Sequence, residues 1–224
     1  ARRDPEKGAA GIRHAAALGS AYAHCALAAL HAGGYGVARD WARASAHLQQ
    51  AISNAHPVAM RMAAMVLFMG DPDDLDGAAL IEAAARQDGV AGALAIRRAA
   101  LGRRGASTKT AREVLPRLVE AQYPLARELE SALNHAMPIE EALPPPDEGR
   151  IAKKLTNGDA LSEVSVEAIC ARPNIRTVRA AFLQEECDYL IGLAAPRLAR
   201  ATIIDGATNE VHVNRHRTAW AASL

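Results

Sequence analysis

Gly19-Ser20-Ala21-Tyr22-Ala23, Ala55-His56-Pro57-Val58-Ala59, Gly89-Val90-Ala91-Gly92-Ala93 and Gln122-Tyr123-Pro124-Leu125-Ala126 recur along the chain, their last alanines 36, 34 and 33 residues apart. A period of this length is the mark of stacked helical hairpins, each too small to bury its own apolar face alone. A second register agrees. Asp4, Asp40 and Asp74 each precede a helix start at intervals of 36 and 34, and Gly36 and Gly70 fall at the turns between units. Asp40 and Asp74 suit helix N-caps, and Pro5, Pro57 and Pro124 lie in or near first turns, where a missing N–H costs least. A small residue closes the first helix of each unit and another opens the second, so the backbones can approach closely.

Composition supports helices packed on one another. Of the 224 residues, 50% are apolar but only 4% aromatic, so alanine must supply much of the core and the helices must be thin and close. Twenty-six basic residues against 25 acidic ones offer no field for a phosphate backbone or an anionic bilayer, which argues against nucleic acid and membrane partners. Cys25, Cys170 and Cys187 are odd in number and far apart. That favours reduced thiols in a cytoplasmic protein over a disulfide framework or a zinc site. No apolar run is long enough to span a bilayer, and no apolar segment follows the charged start Ala1-Arg2-Arg3-Asp4. Because the first residue is Ala, a preceding segment is expected to have been removed or omitted.

Within the repeats, Met60, Met62, Met65 and Met69 with Val66, Leu67 and Phe68 read as core filling, with a sticky partner groove as the alternative. His14, His24, His31 and His47 are read as lying on different helices and faces, and they lack the i, i+4 pairing of a helical metal site. The acidic pairs Asp73-Asp74 and Glu140-Glu141 read as solvated surface charge.

After Met137 the composition changes. Pro138 and Pro144-Pro145-Pro146-Asp147-Glu148-Gly149 favour an extended polyproline segment, so residues 138–160 read as a stiff linker between a repeat array at 1–137 and a second part at 161–224. There Val164–Cys170 and Ile175–Val178 alternate like strands, Gln184–Ala195 reads as a helix stopped by Pro196, and Leu198–Ile204 returns to strand. The expected fold is mainly α: an α-solenoid of about four hairpins, then a truncated α+β segment.

Two resemblances sharpen this. Gly36-Val37-Ala38-Arg39-Asp40-Trp41-Ala42-Arg43-Ala44 resembles the Sel-like subclass of tetratricopeptide repeats, the likeness running over 5–137 and fading in the fourth unit. Arrays of that kind hold peptides or proteins on a concave face. Phe182-Leu183, Glu185-Glu186-Cys187, Leu190-Ile191, Pro196-Arg197-Leu198, Ala201, Ile203-Ile204-Asp205 and Arg217-Thr218 resemble, in order and spacing, the opening of the catalytic domain of prolyl 4-hydroxylase-type dioxygenases.

That second resemblance implies the start of a double-stranded β-helix, with Fe(II), 2-oxoglutarate and ascorbate serving a complete enzyme that hydroxylates a peptidyl proline. It implies that Asp205 to Arg217 form a loop closing over the peptide and that Arg217 to Trp220 form a strand near the substrate channel. The substrate-side candidates are therefore Asp205, Asn209, Glu210, Arg215, Arg217, Thr218 and Trp220. This chain has Ala219 where the family often has Ser.

The chain is expected to be inactive alone. A mononuclear oxygenase iron needs two histidines and a carboxylate, usually in a His-x-Asp arrangement with a distant His. None of the eight histidines is followed two places on by Asp or Glu, His212-Val213-Asn214 being the nearest imitation. No catalytic residue and no metal ligand is assigned, neither iron nor 2-oxoglutarate is expected to bind this fragment, and the iron-binding residues are expected beyond Leu224. G-x-S-x-G, phosphate-binding glycine and H-E-x-x-H motifs are absent too. An interaction solenoid without catalysis is the alternative.

Overall fold

A computed structural model describes residues 5–139, 143, 145–157, 166–173, 175–178, 181–204, 208, 211–213 and 219–222. The described chain is mainly helical, with short antiparallel strands towards its C-terminal end. Eight helices cover the repeat region: α1 (Pro5–Ala17), α2 (Ala21–Gly33), α3 (Trp41–Ser53), α4 (Pro57–Gly70), α5 (Leu75–Ala84), α6 (Gly89–Ala100), α7 (Thr108–Glu120) and α8 (Ala126–Asn134). The expected caps are in place. The Asp40 carboxylate accepts from Arg43 N–H at 3.0 Å and that of Asp74 from Gly77 N–H at 2.9 Å, satisfying amides that the first helical turn leaves unpaired. Asp4 lies outside the described residues. Gly34 ends α2 at φ +74°, a left-handed conformation that only glycine adopts without strain.

The third repeat departs from the spacing read in the sequence. Ser20 and His56 cap α2 and α4 through Ala23 N–H and Ala59 N–H, but α6 is capped by Asp88 through Ala91 N–H. The structural counterpart of Ala59 is thus Ala91, not Ala93. The cause lies in the preceding turn: Gly19, Ala55 and Gln122 enter their helices through left-handed backbone, at φ +86°, +53° and +53°, whereas Asp88 follows a turn at 85–87 with no such residue. The closest packing is also between units rather than within them, joining α2 to α3, α4 to α5 and α6 to α7.

Alanine fills the core as the composition requires. Ala51, Ala59, Ala63, Ala64, Ala91 and Ala111 are wholly inaccessible, and Phe68 is buried at 1% exposure. The main core runs from α2 to α8, and a smaller cluster of Ala16, Ala23 and Leu27 joins α1 to α2.

The stretch read as a linker is held against the repeats. Thr108 N–H donates to Ile139 O at 3.1 Å, and Leu143 lies against the Gly105 turn. Helix α9 (Glu148–Thr156), capped by Asp147, then inserts Ile151 and Leu155 into the main core at 1% and 0% exposure. The helix begins as soon as the three prolines are passed. Its apolar pair is spaced i, i+4 and so lies on one face. Trp41 Nε1–H donates to Leu155 O at 2.8 Å, and Arg150 and Lys154 reach Asp76 at 2.6 and 2.8 Å. Asp74, expected to be solvated, is 8% exposed and pairs with Lys154 as well as capping α5. Glu140 and Glu141 lie outside the described residues.

Beyond α9 come β1 (Val166–Cys170), β2 (Ile175–Val178), α10 (Gln184–Ala194), one 3-10 turn (Ala195–Arg197), β3 (Ala199–Arg200), β4 (Thr202–Ile204), β5 (Val211–Val213) and β6 (Trp220–Ala221). They pair as three separate antiparallel ladders, β1 with β2, β3 with β6 and β4 with β5.

Candidate functional site

Helices α4 and α6 both pack against α10, and the surface between them carries a cluster of ion pairs. Arg61 projects from α4, Arg97 and Arg98 from the last turns of α6, and Arg103 from the turn after it. Arg61 is 5% exposed and pairs with Asp88, the α6 cap, at 2.9 Å. Arg98 is 4% exposed, lies over the Phe68 ring at 4.0 Å and donates to Pro72 O and Arg104 O. Burial lowers the Arg98 pKa, and the Glu185 carboxylate opposes that shift by favouring the charged guanidinium.

Helix α10 answers these cations along one stripe. Glu185 sits 3.6 Å from Arg98 and 2.8 Å from Arg103, and Asp188 sits 3.2 Å from Arg97. The Tyr189 ring faces Arg61, 5.3 Å from ring centre to guanidinium carbon. At Gly192 the helix passes so close that an added Cβ would stand 3.1 Å from Val90 Cγ1, and the Tyr123 hydroxyl donates to Gly192 O at 2.8 Å. Burial raises the pKa of both Tyr123 and Tyr189, which keeps the Tyr123 donor protonated. Positions 185, 188, 189 and 192 are spaced i, i+3, i+4 and i+7, a single helical face.

The acidic motif that carried the dioxygenase resemblance therefore has structural work in this chain. Glu185 docks α10, and the Glu186 carboxylate accepts from Leu183 N–H at 2.8 Å, closing the helix start. Cys187 is half-buried with a free thiol.

The methionines divide between the two readings. Met65 is core at 6% exposure, yet Met62, Met65, Val66 and Met69 also line an apolar groove of about 220 Å³, with Trp41 and Tyr189 on its walls. A smaller hollow of about 110 Å³ lies where α10 meets α6 and α8, lined by Leu94, Leu125, Leu129 and Ile191 together with Arg97, Glu128 and Asp188. Helix α10 thus borders two incompletely filled spaces.

The histidines come together more than their sequence positions suggested. His24 and His31, seven apart on α2, share a face and both meet His47 of α3: His24 Nδ1 is 3.0 Å from His47 Nδ1, and the His31 and His47 rings stack at 5.8 Å. One ring must donate and the other accept, so this contact excludes double protonation. Burial, aided by His24, His31 and Arg43, lowers the His47 pKa. Among the described residues no group of three or more His, Cys, Asp or Glu side chains is arranged to hold a metal ion.

Of the seven substrate-side candidates, Asp205, Asn209, Glu210, Arg215, Arg217 and Thr218 lie outside the described residues. Trp220 opens β6 opposite Arg200 and is 62% exposed. The arginine face and α10 were not foreseen as a site, since the ion-paired partners are 82 to 91 residues apart in sequence. Among the described residues no helix is long and apolar enough to cross a membrane. No protein-family model, curated protein or solved structure matches the chain.

Proposed function

We propose that this chain is the N-terminal part of an Fe(II)- and 2-oxoglutarate-dependent dioxygenase of prolyl 4-hydroxylase type, which when complete hydroxylates a peptidyl proline in the cytoplasm. In this reading α1–α8 are an α-solenoid of Sel-like tetratricopeptide hairpins that presents a protein or peptide substrate, and β1 to β6 with α10 open a double-stranded β-helix. The observation that carries it is the run of motif residues from Phe182 to Thr218; β1 and β2 precede that run and α10 and β3 fall within it, in the order strand, strand, helix and strand.

A second feature supports it. Ile169, Val178, Phe182, Leu183, Ile191, Leu198 and Trp220 are all exposed, a density of uncovered large apolar side chains that further catalytic-domain strands would shield. The donor set of this chain does not fit an iron. No histidine has a carboxylate two residues on, and the three that gather are hydrogen-bonded and stacked on each other. Iron, 2-oxoglutarate and ascorbate therefore belong to residues outside this chain.

The test is 2-oxoglutarate decarboxylation by the protein extended past Leu224. Turnover that requires iron and a proline-containing peptide is the expected result. A natural stop after Leu224 would overturn the reading in favour of the second one, an interaction protein without catalysis, which the docking of α10 onto the repeats favours.

A further inference from the structure

We propose that the arginine face of α4 and α6 is a receptor for acidic amphipathic helices, and that α10 is its resident occupant, which a partner helix of the same chemistry displaces. The proposal rests on reading the repeats as a partner-holding surface and identifies both the surface and what it selects.

The occupant defines the recognition rule. Glu185, Asp188, Tyr189 and Gly192 supply carboxylates at i and i+3, an aromatic ring at i+4 and a glycine at i+7, each meeting a counterpart on the repeats. Of α10 only Glu185 and Gly192 are buried, with Tyr189 packed against the edge of the main core. By contrast α9 is anchored by two aliphatic side chains in the main core. A dock made of charges is weakened by salt and exchanges for another helix of matching charge more readily than one made of buried leucine.

The two unfilled spaces beside α10 extend the rule. Tyr189 reaches only one wall of the methionine-lined groove, and Ile191, half exposed, does not fill the hollow against Leu94, Leu125 and Leu129. A partner helix with the same acidic stripe and larger apolar residues beside it gains contacts that α10 lacks. It must overcome the covalent connection of α10 to the repeats, which holds α10 at an effective concentration on the order of millimolar. The face is thus closed to weak ligands and open to strong ones.

The probe is a fluorescent peptide of residues 181–198, measured by anisotropy against the full chain and against the full chain carrying Glu185→Gln and Asp188→Asn. That variant loosens the resident helix and leaves every receptor arginine in place. The peptide should bind the variant at least about ten-fold more tightly than the unaltered chain. Its binding should fall steeply between about 50 and about 500 mM NaCl, and a peptide bearing the same two exchanges should not bind.

No binding to a variant with unchanged circular dichroism overturns the proposal, as does equal binding of the exchanged peptide. Should the variant fail to fold, native-state hydrogen exchange on the unaltered chain decides. Amides of 184–194 that open before those of 148–156, and faster in salt, support displacement. Opening of both segments only with global unfolding overturns it. Neither iron nor 2-oxoglutarate enters these assays, so their outcome is independent of the dioxygenase reading.

Discussion

Two helices outside the repeats dock on them with different balances of aliphatic and charged contact. Helix α9 drives Ile151 and Leu155 into the core, and its charged contacts run from Arg150 and Lys154 at the rim, 47% and 36% exposed, to the Asp76 carboxylate, which is buried at 2%. Helix α10 differs on its apolar side: Glu185 and Arg98, at 3% and 4%, are buried together, while Ile191 is half exposed and Tyr189 packs only partly against the core. Aliphatic burial is worth stability roughly in proportion to area and is insensitive to salt. A buried ion pair roughly offsets its own desolvation, so it contributes orientation and selectivity more than strength. The first helix is a structural part of the repeat core. The second is a bound segment.

Perturbations of the two docks should separate them. The largest effect is expected from Leu155→Ala, which opens a cavity under α9 and should cost about 3 kcal/mol in urea unfolding; a loss under about 1 kcal/mol would mean that α9 is no better anchored than α10. Glu185→Gln should cost less, about 2 kcal/mol. The loss is capped because α10 can leave and let water reach Arg98, so hydrogen exchange should show 184–194 unprotected while 148–156 is unchanged.

Acid should act on the α9 rim. The hydrogen bond from Arg150, reinforced by Lys154, holds the Asp76 carboxyl below its ordinary range. Its contribution is therefore complete above the unfolded carboxylate pKa of about 4 and lost as pH falls through the lower folded value. Thermal melts of Asp76→Asn should be less stable at neutral pH and flatter below about pH 4 than those of the unaltered chain.

The smallest effect concerns neither dock and serves as a control. His47 and His56 both have lowered pKa values, chiefly through burial, so in the range below the unfolded histidine pKa of about 6.5 the unfolded chain binds protons that the folded chain refuses. Stability should be full above that pH and decline below it. His47→Gln should remove part of the slope between pH 7 and 5 without altering exchange of α9 or α10.

What could be read in the residues follows the range of the forces involved. Caps at Asp40 and Asp74, the strand at Ile175–Val178 and the helix from Gln184 depend on neighbours within a few positions, and all stand where the pattern placed them. Helix α9 escaped because Pro144-Pro145-Pro146 dominated the reading, although Asp147 as a cap and the Ile151–Leu155 spacing were visible. The third repeat slipped by two residues because the repeated small-residue pattern at 89–93 outweighed Asp88, the better cap. The arginine face was illegible because Arg97 and Asp188 meet only once both helices are packed, and no local preference records such a meeting. The histidine seam was half legible: the i, i+7 spacing of His24 and His31 marks one helical face, but only folding brings His47 to it.

Trp41 touches both parts of this contrast, donating its indole N–H to Leu155 O and walling the groove that Tyr189 reaches. The only other tryptophan, Trp220, stands in solvent. The protein consequently carries its own two-colour optical gauge. Emission from the half-buried indole should lie to the blue of that from the exposed one, and quenching by iodide should silence Trp220 first. What remains is a signal from the seam between α3, α4 and α9. A red shift of that residual emission reports release of α9, while a change of intensity without a shift reports a ligand entering the methionine groove.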